Sequence, residues 1–144
     1  MQKILIINGP SLNLLGRREQ HVYGTTDMES CLSALHAEYE DSVIIEYAQT
    51  NHEGGIIDLL QKASADKSTI GIVLNAGAYT HTSLAIADAI ASIELPVVEV
   101  HISNIWAREQ IRHTSLISAV CRGVIAGFGM QSYSLAVRAL LYTN

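Results

Sequence analysis

Side chains able to transfer protons are concentrated after three short apolar segments, and the first group lies in the loop at 9–24. Tyr23 stands in this loop five residues after Arg18. A neighbouring guanidinium stabilises a phenolate, and a phenolate can take a proton from a carbon beside a carbonyl. A half-buried loop tyrosine with an unrelated arginine is an equally ordinary arrangement. The spacing therefore predicts a candidate base and leaves its use open.

A carboxylate and an imidazole form the second group, at Glu99 and His101. Residues two apart on a strand share a face, so the pair is expected to be in contact. A carboxylate fixes the tautomer of an imidazole and helps it hold a proton, which is what a general acid requires. The alternative is a hydrogen-bonded core histidine. The position at the end of a central predicted strand favours the catalytic interpretation.

Two further pairs have helical spacing. His81 and Asp88 are seven apart, which places them on one face of the third predicted helix, about 10 Å apart along its axis. Asp88 lies among alanines and isoleucines. It is either exposed on the helix surface or forms a salt bridge across a subunit interface.

Arg108 and Arg112 are four apart. If helical, they form a cationic face suited to a carboxylate or a hydroxyl-rich acid, and otherwise a solvated pair.

The elements that must position these groups alternate between apolar runs and longer helical patterns. The runs predict strands at 3–8, 43–47, 69–74, 97–100 and 124–128. Helices are predicted at 27–40, with Asp27 as the cap, and at 53–65, 82–93 and 130–141. Strands that are apolar on both faces and alternate with helices predict a parallel sheet covered on both sides. We expect one α/β domain over 1–144, a flavodoxin-like doubly wound five-stranded sheet of order 2-1-3-4-5.

Composition excludes several classes of protein. The 144 residues are 49% hydrophobic and 16% charged, enough for one sizeable core and too little charge for a disordered chain. The net charge of −5 argues against a nucleic-acid binder. The uncharged stretch 68–87 is broken by polar residues and does not predict a membrane span. Two isolated cysteines, Cys31 and Cys121, and the absence of a signal peptide predict a cytoplasmic protein.

Cofactor motifs are missing as well. The sequence has no GxxxxGK[ST] phosphate loop, and Gly127-Phe128-Gly129 stands too near the end for a dinucleotide site. Lys3, Lys62 and Lys67 are badly placed for a Schiff base. The cysteines and histidines lack the close spacing of a metal site. These residues therefore provide no recognisable motif for a metal or an organic cofactor.

Distinctive blocks of residues are spread along nearly the whole chain. They are GPSLNLLGRRE (9–19) followed by Tyr23-Gly24, QTNHEG (49–54), NAGAYTHTS (75–83), EVHISN (99–104) with ARE (107–109) and Arg112-His113, and GVIAGFG (123–129). These blocks, in this order, resemble one family, the type II 3-dehydroquinate dehydratases. The resemblance implies a hydro-lyase of the shikimate pathway that converts 3-dehydroquinate to 3-dehydroshikimate without a metal or an organic cofactor.

The resemblance also implies roles for individual residues. Tyr23 matches the base that removes the C2 proton to form an enolate, and Arg18 matches the residue that assists it. His101 matches the acid that protonates the C1 hydroxyl, and Glu99 the residue that orients it. The residues matching the substrate-binding positions are Asn75, His81, Ile102, Ser103 and Arg112, together with Asp88 from a neighbouring subunit. The family's homododecamer, a tetramer of trimers, is the expected assembly, and the loop carrying Tyr23 is expected to act as a lid.

Three residues depart from the family pattern. Ser11 stands where the family has an asparagine that helps to stabilise the enolate oxygen, so it is a substrate-binding candidate with a shorter side chain. Gln20 replaces a proline, which predicts a looser lid. Trp106 adds bulk beside the site. Ser11 also motivates an alternative, a non-catalytic or weakly active binder of a cyclic polyhydroxy acid. A flavin-binding module is a further alternative.

Overall fold

The computed structural model describes residues 1–142, and its strands form one parallel sheet of order β2-β1-β3-β4-β5. This confirms the predicted order. The last two residues of the predicted 1–144 domain lie outside the described residues. The strands are β1 Lys3–Asn8, β2 Ile44–Gln49, β3 Thr69–Asn75, β4 Val97–His101 and β5 Gly123–Ala126. The helices are α1 Gln20–Tyr23, α2 Met28–Tyr39, α3 Glu53–Ala65, α4 Leu84–Ser92 and α5 Gln131–Tyr142.

Each face of the sheet is covered by two helices, because alternate strand residues are apolar on both sides. Ile6 and Val73 belong to one core with residues of α2 and α5. Ile7 and Leu74 belong to the other core with residues of α3 and α4. All four side chains are fully buried. The carboxyl ends of the central strands are therefore held in fixed positions. No helix in the described part of the chain has the length and apolarity needed to cross a bilayer.

Helix ends follow local chemistry more than the apolar pattern. Asp27 caps α2 as predicted, since its side chain accepts a hydrogen bond from the amide of Ser30. Ser83 caps α4 in the same way, so this helix begins at Leu84 and not at 82. β5 ends at Ala126 and not at 128, because Gly127 (φ 93°) turns the backbone into the left-handed region.

The predicted helix face shared by His81 and Asp88 is wrong, and the condition set for the Arg108–Arg112 pair, a helical stretch, is not met. His81 lies in a separate 3₁₀ turn, Gly77–His81, ahead of α4, so it shares no helix face with Asp88. Arg108 ends the 3₁₀ turn Ile105–Ala107, and Arg112 lies in the next one, Gln110–His113. The two arginines therefore do not sit on one helix, although both line the same cavity. The chain after β4 is a series of short turns, in which a spacing of four does not define a face.

Candidate active site

A cavity opens at the carboxyl edge of the sheet, where the segments after β1, β3 and β4 meet. Most of the predicted site residues line it: Ser11, Arg18, Tyr23, Asn75, His81, His101, Ile102, Ser103 and Arg112. Two do not. Glu99 lies fully buried behind His101. Asp88 is exposed on α4 and does not line the cavity.

The segments after β1 and β3 approach closely because of one glycine. The amide of Gly9 donates to the carbonyl of Asn75 at 2.7 Å. A Cβ atom at position 9 would lie 2.7 Å from the carbonyl oxygen of Ala76, closer than real contacts allow. Asn8 and Asn75 are paired in register at the ends of their strands. This packing fixes one wall of the cavity.

The candidate base, Tyr23, is held by two arginines. Arg108 Nη1 donates to the phenol oxygen of Tyr23 at 3.0 Å, and Arg108 Nη1 also reaches Ser103 Oγ at 3.4 Å. The guanidinium carbon of Arg18 lies 4.7 Å from the centre of the Tyr23 ring, and Arg18 also pairs with Glu19 at 2.7 Å. The hydrogen bond to the phenol oxygen thus comes from Arg108. Arg18 instead contacts the face of the ring, where a cation–π interaction helps to hold Tyr23 in place.

The candidate acid is a buried carboxylate–imidazole pair on β4. Glu99 Oε2 and His101 Nε2 are 2.5 Å apart. Burial alone would raise the pKa of the Glu99 carboxyl. Hydrogen bonds from His101 and Ser118, the charge of His101 and a hydrogen bond from Ser115 together hold that pKa below its usual range. Because Nε2 is hydrogen-bonded to Glu99, Nδ1 is the nitrogen of His101 available to exchange a proton with a molecule in the cavity.

Polar side chains beneath the cavity are tied together by a buried tyrosine. Tyr133 donates from its hydroxyl to Asn8 Oδ1 at 2.7 Å and accepts from Asn75 Nδ2 at 3.0 Å. Asn75 Oδ1 in turn accepts from the amide of Gly77 at 3.2 Å. Burial raises the pKa of Tyr133, so its hydroxyl stays neutral and donates. The network fixes which way the Asn75 amide points.

The electrostatics of the cavity suit an anion. Arg18, Arg108 and Arg112 line it together with His81 and His101. The rings of His81 and His101 are stacked, with their centres 6.3 Å apart. Arg112 is paired with Glu109 at 3.1 Å. Within residues 1–142, no group of three His, Cys, Asp or Glu side chains is arranged to hold a metal ion.

Comparison with known proteins agrees with this geometry. The family model described as dehydroquinase class II matches residues 2–141. The chain belongs to the class II dehydroquinase family. A 3-dehydroquinate dehydratase from an Exiguobacterium species is 53% identical over 139 residues, which cover 96% of this chain and 94% of that protein. A second, from Ruegeria pomeroyi, is 53% identical over 141 residues, covering 97% and 93%.

Solved structures give the same result for the fold. The type II dehydroquinase from Butyrivibrio crossotus superimposes with a TM-score of 0.93 at 45% identity, covering 96% of this chain and 97% of that one. The enzyme from Propionibacterium acnes gives a TM-score of 0.92 at 39% identity, covering 98% and 97%. The fold expected of a class II dehydroquinase is therefore the fold observed.

The residues that depart from the family pattern now have positions in this class II dehydroquinase. Ser11 has φ 67° and ψ −3°, and its amide donates to Asn51 Oδ1 at 3.0 Å. Gln20 Nε2 donates to the carbonyl of Gly16 at 3.0 Å within the loop. Trp106 is 56% exposed and lies outside the cavity lining. Ser11 is thus the departure with a direct place in the site.

Several contacts in the site of this class II dehydroquinase could not be predicted from the sequence. Arg108 was placed in an arginine pair but not with Tyr23, and the two stand 85 positions apart, so no spacing rule joins them. Ser115 and Ser118 contact Glu99 from a segment without periodicity. Tyr133 falls within the helix predicted at 130–141 and was given no role. A buried tyrosine hydroxyl needs a hydrogen-bond partner, which was the available signal.

Proposed function

We propose that this class II dehydroquinase catalyses the elimination of water from 3-dehydroquinate to give 3-dehydroshikimate, a step of the shikimate pathway. One observation carries the mechanism: a tyrosine held by arginines and a histidine backed by a buried carboxylate line one cavity. Two proton-transfer groups in different electrostatic surroundings suit an elimination, in which a base takes one proton and an acid gives another.

In the proposed mechanism Tyr23, as a phenolate stabilised by Arg108 and Arg18, removes the proton from C2 of the substrate. The C–H electron pair moves into the adjacent carbonyl to give an enolate. When this enolate collapses, the C1–O bond breaks and His101 supplies the proton with which the hydroxyl leaves as water. A C1=C2 double bond remains, conjugated with the ketone. Proton exchange with solvent returns both residues to their starting states.

The remaining polar groups are proposed to hold the substrate. Arg112 and His81 offer donors to the carboxylate and hydroxyls of an anionic polyol, as do Ser103, the backbone of Ile102 and Asn75. Ser11 lies where the enolate oxygen forms. Asp88, exposed on α4, is proposed to complete the site of a neighbouring subunit in a dodecamer. A cytoplasmic location and the absence of a cofactor stay predictions from the sequence.

The test follows the conjugated enone by its absorbance after 3-dehydroquinate is added to metal-stripped protein. Tyr23→Phe is expected to slow turnover by about 10²-fold or more, since a positioned general base contributes about 10²–10⁴-fold. Arg108→Met is expected to lower kcat in the same direction. Tyr142→Phe is the matched control, because Tyr142 is 68% exposed at the end of α5.

Two results would contradict the proposal in different ways. If Tyr23→Phe turns over 3-dehydroquinate at the wild-type rate, Tyr23 is not the base. A folded wild-type protein that binds 3-dehydroquinate and forms no enone would favour the alternative, a binder of cyclic polyhydroxy acids, which Ser11 motivates.

A further inference from the structure

Glu99 is buried with both carboxylate oxygens occupied. Oε2 meets His101 Nε2, as described above, while Oε1 accepts from Ser118 Oγ at 2.5 Å and from Ser115 Oγ at 3.1 Å. Glu99 is 0% exposed, so bulk water does not reach its carboxylate. Two serine hydroxyls therefore replace water on the side of Glu99 that faces away from the histidine.

The two serines are not equivalent. Ser115 Oγ also accepts from the backbone amides of Ile117, at 3.2 Å, and Ser118, at 3.1 Å, so it shapes the turn in which it lies. For Ser118 Oγ, Glu99 Oε1 is the hydrogen-bond partner found among the described residues. The Ser118 hydroxyl thus serves the carboxylate, whereas Ser115 has a second, structural use.

Other groups near Glu99 do not supply this stabilisation. Cys121 approaches from the same segment, and burial, with a contribution from the negative charge of Glu99, raises the pKa of its thiol to about 12. The thiol is therefore neutral at physiological pH. His81 stacks against the ring of His101 at 6.3 Å. Among the described residues, Cys121 faces Glu99, His81 stacks on His101, and Tyr23, Arg18, Arg108 and Arg112 line the cavity together with His101. The hydroxyl donors to Glu99 are the two serines.

We propose that Ser118 is a positioning residue for the acid: its hydroxyl fixes Oε1 of Glu99, so that Oε2 stays on His101 Nε2 and Nδ1 serves the cavity. The inference rests on the proposed role of His101. Ser118 does not line the cavity, so it acts through Glu99 and touches no substrate. Losing its hydroxyl leaves the buried carboxylate less well solvated, because a hydrogen bond to a charged group is among the stronger ones.

The test compares Ser118→Ala with Ser118→Thr, which keeps a hydroxyl. Ser118→Ala is expected to lower kcat by about tenfold, the effect of one hydrogen bond to a charged group, with KM nearly unchanged. Because hydrogen bonds lower the pKa of Glu99 in the folded protein, their loss raises it. The acidic limb of the kcat–pH profile therefore moves to higher pH. Ser118→Thr is expected to keep kcat and the acidic limb at their wild-type values. Ser92→Ala is the control, because the Ser92 hydroxyl donates to the carbonyl of Ala89 within α4.

A direct measurement separates this inference from the proposed function. The carboxyl ¹³C resonance of Glu99, followed by NMR against pH, is expected to titrate at higher pH in Ser118→Ala than in the wild type. An unshifted titration, or a fall in kcat with the acidic limb unmoved, would overturn the positioning role. If the wild type shows no turnover, the proposed function fails, and the NMR titration still decides whether Ser118 controls Glu99.

Discussion

Replacing Ser11 by asparagine is expected to stabilise the protein, because Ser11 adopts a left-handed backbone conformation with φ 67°. This conformation costs an ordinary L-residue roughly 1–2 kcal/mol, and asparagine occurs there several-fold more often than other non-glycine residues. A fourfold preference corresponds to about 0.8 kcal/mol in the free energy of unfolding. For a domain of this size that raises Tm by about 2 °C.

Ser11→Asn is also expected to raise kcat. Ser11 lines the cavity, and in the proposed mechanism its single hydroxyl donor serves the enolate oxygen. The longer asparagine amide brings two N–H donors. One well-placed donor to such an oxygen is worth about 2.7–4 kcal/mol of barrier, so even partial improvement gives a rise of about tenfold, with KM little changed.

Thermal unfolding and the enone assay check these two effects separately, with Ser11→Ala as the matched variant. Alanine has neither the preference of asparagine for this backbone region nor a donor, so Tm should stay near the wild-type value while kcat falls. If Ser11→Asn leaves Tm at or below the wild-type value, the backbone argument is refuted. If Tm rises and kcat does not, the contact with the enolate oxygen is refuted, and water already fills that place.

Two further substitutions test the walls of the cavity. Tyr133→Phe removes the hydroxyl between Asn8 and Asn75, so urea unfolding should show that the free energy of unfolding falls by about 1–3 kcal/mol. If it falls no further than in the exposed control Tyr142→Phe, the network does not stabilise the protein. Gly9→Ala places a Cβ 2.7 Å from the Ala76 carbonyl oxygen and should lower both stability and kcat/KM. Gly54→Ala on α3, where a Cβ meets no atom within 4 Å, should leave both at least at the wild-type level.

The fold could be predicted because buried parallel strands appear in the sequence as continuous apolar runs. β1 has its predicted bounds, Lys3–Asn8, since the apolar run coincides with the pairing on both sides. β2 was predicted to end at 47 and extends to Gln49, because pairing with β1 continues beyond the apolar residues. Because pairing depends on the neighbouring strand, the end of a strand such as β2 cannot be predicted from its local sequence alone.

Site residues that lie on a strand or directly after one could be predicted from the sequence. Site residues that lie in segments without regular secondary structure could not. Glu99 and His101 lie two apart on β4, and strand geometry alone predicts their contact. Arg108 and Ser118 belong to the series of short turns after β4, in which no period relates sequence position to direction. Their partners, Tyr23 and Glu99, could be named only once the turns were seen.

The proposed acid and the proposed base differ in how the fold holds them. His101 stands on a central strand, with its carboxylate partner fully buried. Tyr23 ends α1, a helix of four residues, Gln20–Tyr23, between Glu19 at φ 38° and Gly24 at φ 80°. A helix this short has no stability of its own, so tertiary contacts must set the position of the phenol.

The hydrogen bond from Arg108 is such a contact, and it comes from the segment that follows β4. In the proposed mechanism the same guanidinium stabilises the phenolate electrostatically, and it also ties the loop at 9–24 to the segment that follows the strand carrying the proposed acid. Base strength and loop position are consequently coupled through one side chain. Loop substitutions that weaken this bond should slow proton abstraction without changing the Glu99–His101 pair, which does not depend on the loop.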